Sequence, residues 1–206
     1  MNKNKSSEII TILRQIIPNP QCELNFNNNF ELLCAVMLSA QTTDKRVNMV
    51  TPILFSKYPD PLSLANADYA EVKDIIKELG LSSNKAKNLI ALAKKLCDDY
   101  NSVVPNTIEE LIKLPGVGRK TASVILSVGF KIPAMPVDTH IHRMAIRLGY
   151  VKTNATVDEV EIALKKYIPI DAWIDAHHLL LLFGRYYCKA KNPCCDNCRL
   201  INFCKK

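Results

Sequence analysis

Four cysteines near the carboxyl end, Cys188, Cys195, Cys198 and Cys204, are spaced C-x6-C-x2-C-x5-C within a 17-residue stretch. Four soft thiolate donors on one short loop are a metal centre, and tetrahedral zinc and an iron–sulfur cluster both satisfy them. The spacing alone does not choose between the two. Cys194 adds a fifth thiol beside Cys195, so five of the eight cysteines fall in the last 19 residues. The other three, Cys22, Cys34 and Cys97, have apolar neighbours and are expected in the core. A disulfide framework is disfavoured. Lys3 and Lys5 are followed by Glu8 and Arg14 rather than by an apolar signal run, so the chain is expected in the cytoplasm, where thiols stay reduced.

A second cluster lies at Leu114-Pro115-Gly116-Val117-Gly118-Arg119-Lys120-Thr121. Two glycines one residue apart, opening a helix, permit close backbone approach and leave free N–H groups at the positive helix end, which suits a phosphate. The stretch is not a Walker A loop, which needs four residues between its glycines, and no strand leads into it as a dinucleotide fingerprint requires. Lys120 stands in the first turn of that helix beside Arg119. By chemistry alone it reads equally as a phosphate-binding cation or as an amine nucleophile. Asp138 is the first carboxylate after Glu110, because residues 111–137 contain none while holding Lys113, Arg119, Lys120 and Lys131. As a side chain it is a natural N-cap for the stretch Thr139 to Leu148. An 11-residue helix from Arg119 to Gly129 rises ~16 Å, and the eight residues Phe130 to Val137 reach up to ~28 Å, so the loop can bring Asp138 back to Lys120.

The elements that must carry these groups are helical. Apolar residues recur at helical spacing almost throughout, without sustained alternation, and the chain reads as all-α. Ile9, Ile10, Leu13, Ile16 and Ile17 form one stripe; Leu32, Leu33, Val36 and Met37 form another. Helices are also expected from Asp68 to Leu79, from Asn84 to Tyr100, and from Asp171 through Phe183. Thr107 with Glu110, and Thr156 with Glu159, have capping-box spacing, and Gly129 and Gly149 read as helix C-caps. The chain has 206 residues, is 48% hydrophobic, and carries 27 Lys and Arg against 20 Asp and Glu for a net +7. Those values exclude disorder for most of the chain and favour a polyanionic partner, with nucleic acid the leading class. The longest apolar run, the seven residues Leu32 to Leu38, falls far short of the ~20 of a spanning helix.

From Phe30 to Cys204 the sequence resembles the endonuclease III group of helix-hairpin-helix DNA glycosylases with an iron–sulfur cluster. The resemblance rests on Leu114 to Ala122, on Val137-Asp138-Thr139-His140 and on the cysteine spacing. It implies two helical lobes with a cleft: residues 21–132 as a six-helix domain with the hairpin, and residues 1–20 with 133–206 as the cluster domain. It further implies a bifunctional glycosylase and AP lyase of base excision repair that acts on oxidised pyrimidines. In that reading Lys120 attacks the sugar C1′ and Asp138 stabilises charge and assists the lysine. Gly116, Gly118 and Arg119 hold a DNA phosphate, Gln41 fills the space of the extruded nucleotide, and Leu81 wedges from the other side. His140 and Asp44 support the site. Cys188, Cys195, Cys198 and Cys204 would hold a [4Fe-4S] cluster, with Cys194 a non-ligand. The partner is double-stranded DNA bearing damaged bases or abasic sites. The protein is expected to be a nucleoid-associated monomer with no membrane. Two other readings share part of this pattern. An adenine-mismatch or other monofunctional glycosylase generally lacks the lysine and carries a further C-terminal domain, whereas a non-catalytic DNA-binding module would use the metal loop as structure only.

Overall fold

The computed structural model describes residues 1–205, and every regular element among them is helical. The helices are α1 (Lys3–Ile16), α2 (Asn29–Leu38), α3 (Asp44–Lys57), α4 (Pro61–Ala65), α5 (Tyr69–Ile75), α6 (Ser82–Tyr100), α7 (Ile108–Leu111), α8 (Arg119–Val124), α9 (Thr139–Arg147), α10 (Val157–Tyr167) and α11 (Trp173–Tyr186). The chain divides into two compact units, Glu23–Ile132 and Met1–Cys22 with Pro133–Lys206. No helix among the described residues is long and apolar enough to cross a membrane.

Most helix starts are written in the sequence. The side chains of Asn2, Asn28, Thr43, Asp60, Asp68, Thr107, Asp138 and Thr156 each accept a backbone N–H in the first turn of the helix they precede. Each such cap contributes ~1 kcal/mol. Thr156 and Glu159 complete a reciprocal capping box. The helices without a side-chain cap are α6, α8 and α11. The first two follow the turns that hold Leu81 and Gly118.

In the unit Glu23–Ile132, α2 is the central element: Phe30 to Leu38 are all buried. A helix apolar on all sides must be surrounded, and α3, α6 and α8 pack on it. Its one buried carboxylate, Glu31, accepts the Asn27 backbone N–H at 2.7 Å and the Asn27 side-chain amide at 3.0 Å. Seven α-helices lie in this unit rather than six, because Asp60 and Ser63 close a capping box around the short α4. The segment expected from Asp68 to Leu79 also splits, into α5 and a 3-10 turn at Lys77–Leu79. Gly129 is not a helix cap. It ends a π-helical turn, Ile125–Gly129, and a Cβ there would lie 2.6 Å from Asn29 Oδ1 and 3.1 Å from Leu32 Cδ2. Close approach to α2, not a left-handed backbone, requires the glycine. Of the three scattered cysteines only Cys34 is buried, while Cys22 and Cys97 are partly exposed.

The other unit joins both ends of the chain. Ile9, Ile10 and Leu13 of α1 enter one core with Ile141, Met144, Val160, Leu164, Leu179, Leu180 and Phe183. Burial of each such side chain contributes ~1.5–3 kcal/mol. The Ser6 and Tyr150 hydroxyls bond at 2.7 Å inside it, tying α1 to the residues after α9. Gly149, with φ +72°, ends α9 as expected. Gly184 brings α11 close to α9, since a Cβ would lie 3.1 Å from Met144 Cγ and 3.2 Å from the His140 carbonyl.

Candidate nucleic-acid interface and cysteine centre

The glycine hairpin joins α7 to α8. Leu114 and Val117 anchor it in the core, and Val117 N–H donates to the Leu114 carbonyl at 3.1 Å. The two glycines do different work. Gly116 has φ +77°, and a Cβ on it would sit 2.7 Å from Met37 Sδ and 3.1 Å from Asn88, so both conformation and packing demand glycine. Gly118 has φ −94° and open space where a Cβ would stand. Nothing inside the protein requires glycine there. Gly116→Ala should therefore lower stability by ~1–3 kcal/mol, and Gly118→Ala should change it by less than ~0.5 kcal/mol, both read by thermal unfolding.

Gly118 is the N-cap of α8 and supplies no side chain, so the first N–H groups of that helix face outward without a capping partner. Arg119 and Lys120 are exposed in the same turn. Neither has a carboxylate within ion-pair distance among the described residues. Lys113 differs: its ammonium meets Glu110 at 2.6 Å, and Lys113 with the Tyr100 hydroxyl holds that carboxyl below the usual range. The cationic surface of this stretch is therefore Arg119, Lys120 and Lys131.

Asp138 caps α9 in the unit that holds both chain ends. Its Oδ1 accepts the Ile141 N–H at 2.8 Å and its carbonyl accepts the His142 N–H at 2.8 Å. Just before it, the Pro136 carbonyl bonds the His177 ring at 3.0 Å. The carboxylate is thus fixed from both sides and half-exposed, with Oδ2 unpartnered among the described residues. Asp138→Ala should cost ~1 kcal/mol of stability, whereas Asp138→Asn, itself a good cap, should cost only a few tenths by thermal unfolding.

His140 and two arginines that the sequence reading passed over share one face of α9. Arg143 Nη2 lies 3.2 Å from His140 Nδ1; a guanidinium only donates, so that ring nitrogen is the acceptor. Arg143 also donates to the Gly184 carbonyl at 2.6 Å and to the Cys188 carbonyl at 3.2 Å. Arg147 donates to Cys188 Sγ at 3.1 Å and to the Lys189 carbonyl at 2.8 Å, while its own carbonyl accepts the Lys205 N–H at 2.7 Å. The helix that begins at Asp138 therefore fastens both ends of the cysteine loop. Two arginines four apart, in register with His140, were the available signal.

Cys188, Cys195, Cys198 and Cys204 line one hollow, partly open to solvent, together with Cys194, Arg147, Phe183 and Ile201. Burial pushes the Cys198 thiol up, and the nearby Cys188, Cys195 and Cys204 sulfurs add to that. From Cys188 to Cys204 the only buried apolar side chain is Leu200. A 17-residue loop with so little core does not offset the ~1–2 kcal/mol that ordering each residue costs. The donor set and the missing core both fit a metal group bound in the hollow.

Gln41 and Leu81 each occupy an exposed turn in the unit Glu23–Ile132, and both have left-handed backbones, φ +57° and φ +50°. Such a conformation costs a side-chain-bearing residue ~1–2 kcal/mol and persists where the surroundings impose it. Next to Gln41, the buried Thr42 hydroxyl has no hydrogen-bond partner among the described residues. Neither feature is visible in residue type or spacing.

Residues 34–170 match the model of the HhH-GPD superfamily base excision DNA repair proteins. The sequence is 47% identical to endonuclease III of Bacillus subtilis (strain 168) over 191 residues, covering 93% of this chain and 87% of that protein. The fold is similar to that of a trapped endonuclease III–DNA covalent intermediate, with TM-score 0.95, 44% identity, and coverage of 100% of this chain and 96% of the other. A non-covalent endonuclease III–DNA complex gives TM-score 0.96 at the same identity and coverage. Sequence and fold match over nearly the full length, and the chain belongs to the endonuclease III family of the HhH-GPD superfamily.

Proposed function

We propose that this protein is a bifunctional DNA glycosylase and AP lyase of base excision repair, which releases oxidised pyrimidines from duplex DNA and cuts the strand on the 3′ side of the abasic site. One observation carries the reading. An exposed lysine amine follows directly on a hairpin shaped for a phosphate, in a chain 44% identical to a protein trapped covalently on DNA.

The hairpin holds the backbone without reading sequence: Gly116 and Gly118 offer N–H groups to one phosphate and Arg119 adds charge. Gln41 takes the space of the extruded nucleotide and Leu81 enters the stack. Lys120 Nζ then bonds to the sugar C1′ as the glycosidic bond breaks, and its electron pair leaves with the base, which takes up a proton. Asp138 stabilises the positive charge that develops on the sugar and accepts a proton from the lysine. The nitrogen lone pair then breaks the bond from C1′ to the ring oxygen, which takes up a proton as the sugar opens, and an iminium joins Lys120 to C1′. That iminium acidifies C2′; loss of a C2′ proton expels the 3′ phosphate, and the strand is cut. His140, turned by Arg143, supports the Asp138 end of α9.

Cys188, Cys195, Cys198 and Cys204 would hold a [4Fe-4S] cluster. Four thiolates satisfy zinc equally well, and the choice of a cluster rests on the likeness to endonuclease III. The cluster supplies cross-linking of the loop rather than a reaction step. The protein acts as a monomer on double-stranded DNA wherever the chromosome lies.

The reading is tested with a duplex carrying one thymine glycol, scoring free base and strand breaks separately. Both should appear at matched rates; base release without breaks would make the enzyme monofunctional. Binding without either would leave a DNA-binding module. In the same duplex Gly118→Ala should weaken binding by about tenfold, equally on damaged and undamaged DNA, because the added methyl group stands off a phosphate and not a base.

A further inference from the structure

Lys85 is the one lysine buried among the described residues, 6% exposed, and its placement is unfavourable in three ways. Its ammonium is withdrawn from water, which pulls its pKa below the usual lysine range. It is the fourth residue of α6, near the positive end of the helix, and the first turn holds no acidic residue. No carboxylate among the described residues pairs with it. A cation kept under such conditions needs a specific partner, and the partner is a turn.

The ammonium donates to the Leu79 carbonyl at 3.1 Å, and the backbone N–H of the same residue donates to the Leu81 carbonyl at 3.0 Å. The second bond is the first i→i−4 bond of α6, which any residue there would make; the hold specific to Lys85 is its ammonium on the Leu79 carbonyl, at the start of a three-residue turn. Within it Gly80 and Leu81 are consecutively left-handed, φ +65° and φ +50°. The chain passes from a buried Leu79, 3% exposed, to Leu81 at 57% in two steps. No side chain caps α6 here, and the Lys85 ammonium on the Leu79 carbonyl is the side-chain bond made to this turn among the described residues.

We propose that Lys85 is a positioning residue for base extrusion, clamping the Leu79–Leu81 turn so that the Leu81 side chain stands ready to enter the duplex. The proposal rests on the reading of Leu81 as the wedge. A wedge already held in shape loses less freedom on insertion than a loose one, so the clamp speeds extrusion without touching DNA. Lys85→Met keeps the length and apolar stem of the side chain and removes its donors, leaving the Leu79 carbonyl unpaired.

The test is a double-mutant cycle on single-turnover base release from a thymine-glycol duplex, with melting temperatures recorded for every variant. Leu81→Ala should slow release; Lys85→Met should slow it about tenfold; and the double variant should be no slower than Leu81→Ala alone. Lys85→Arg, which retains a donor, should recover most of the rate. If Leu81→Ala releases base at the wild-type rate, the wedge reading fails and takes this proposal with it. If Leu81→Ala is slow but Lys85→Met is not, or if Lys85→Met slows both backgrounds by the same factor, only the role of Lys85 is overturned. Should Lys85→Met not fold, the same cycle is read with Lys85→Gln.

Discussion

Lys120→Gln should remain folded, still bind duplex DNA, and lose strand cleavage by a factor on the order of a thousand or more. The side chain is exposed at the start of α8 and has no carboxylate partner among the described residues, so removing it should change stability by less than ~0.5 kcal/mol. An amide cannot form the iminium on which elimination depends, and loss of a nucleophile is among the most damaging single changes an active site suffers. Lys120→Arg separates the two chemistries open to this residue. A guanidinium holds phosphate as well as an ammonium does and is not a nucleophile at neutral pH. If Lys120 is the nucleophile, the arginine variant is as inactive as the glutamine one; retained cleavage in Lys120→Arg would assign the residue to phosphate binding alone. Gel assays of nicking, with affinity measured in parallel, distinguish these outcomes.

The second large effect is expected at the cysteine loop. Cys198→Ala should abolish bound iron and acid-labile sulfide, release residues 188–204, and lower the stability of the unit that contains them by at least ~3 kcal/mol. The size follows from the lack of any substitute: only Leu200 anchors the loop by apolar burial. Damage should spread along α9, because Arg143 and Arg147 would lose ordered acceptors at the Cys188 and Lys189 carbonyls. Asp138 caps that helix, so base release should fall too. Cys194→Ala is the control and should keep the iron. Iron and sulfide assays with limited proteolysis read the effect, and full iron in Cys198→Ala would overturn the ligand assignment.

What the sequence made legible was what short-range chemistry encodes. Asp138 as a cap follows from its residue type before an apolar helix, and Thr156 with Glu159 from their spacing. The hairpin was legible because Gly116 and Gly118 punctuate two helices, and the cysteines because ligand spacing survives without structure. Features that depend on distant neighbours were not. Gly129 looked like a cap, yet it answers to Asn29 and Leu32 on another helix. Lys85 carries no local mark of burial, and only the packing around the Leu79–Leu81 turn sets it apart. Arg143 and Arg147 gain their meaning from carbonyls about 40 residues downstream. The left-handed backbones at Gln41 and Leu81 run against residue type altogether, so resemblance rather than physics singled those positions out. Strain of that kind is set by the packing of whole helices.

The proposed lyase chemistry turns on a covalent bond between Lys120 and the sugar of the damaged nucleotide. Incubation of the protein with a thymine-glycol duplex and borohydride reduces an iminium to a stable amine, and digestion with mass spectrometry then locates the DNA-derived mass. That mass is expected on Lys120, with no adduct in Lys120→Gln and little in Asp138→Asn. An adduct on a different residue, or base release with no adduct at all, would contradict it.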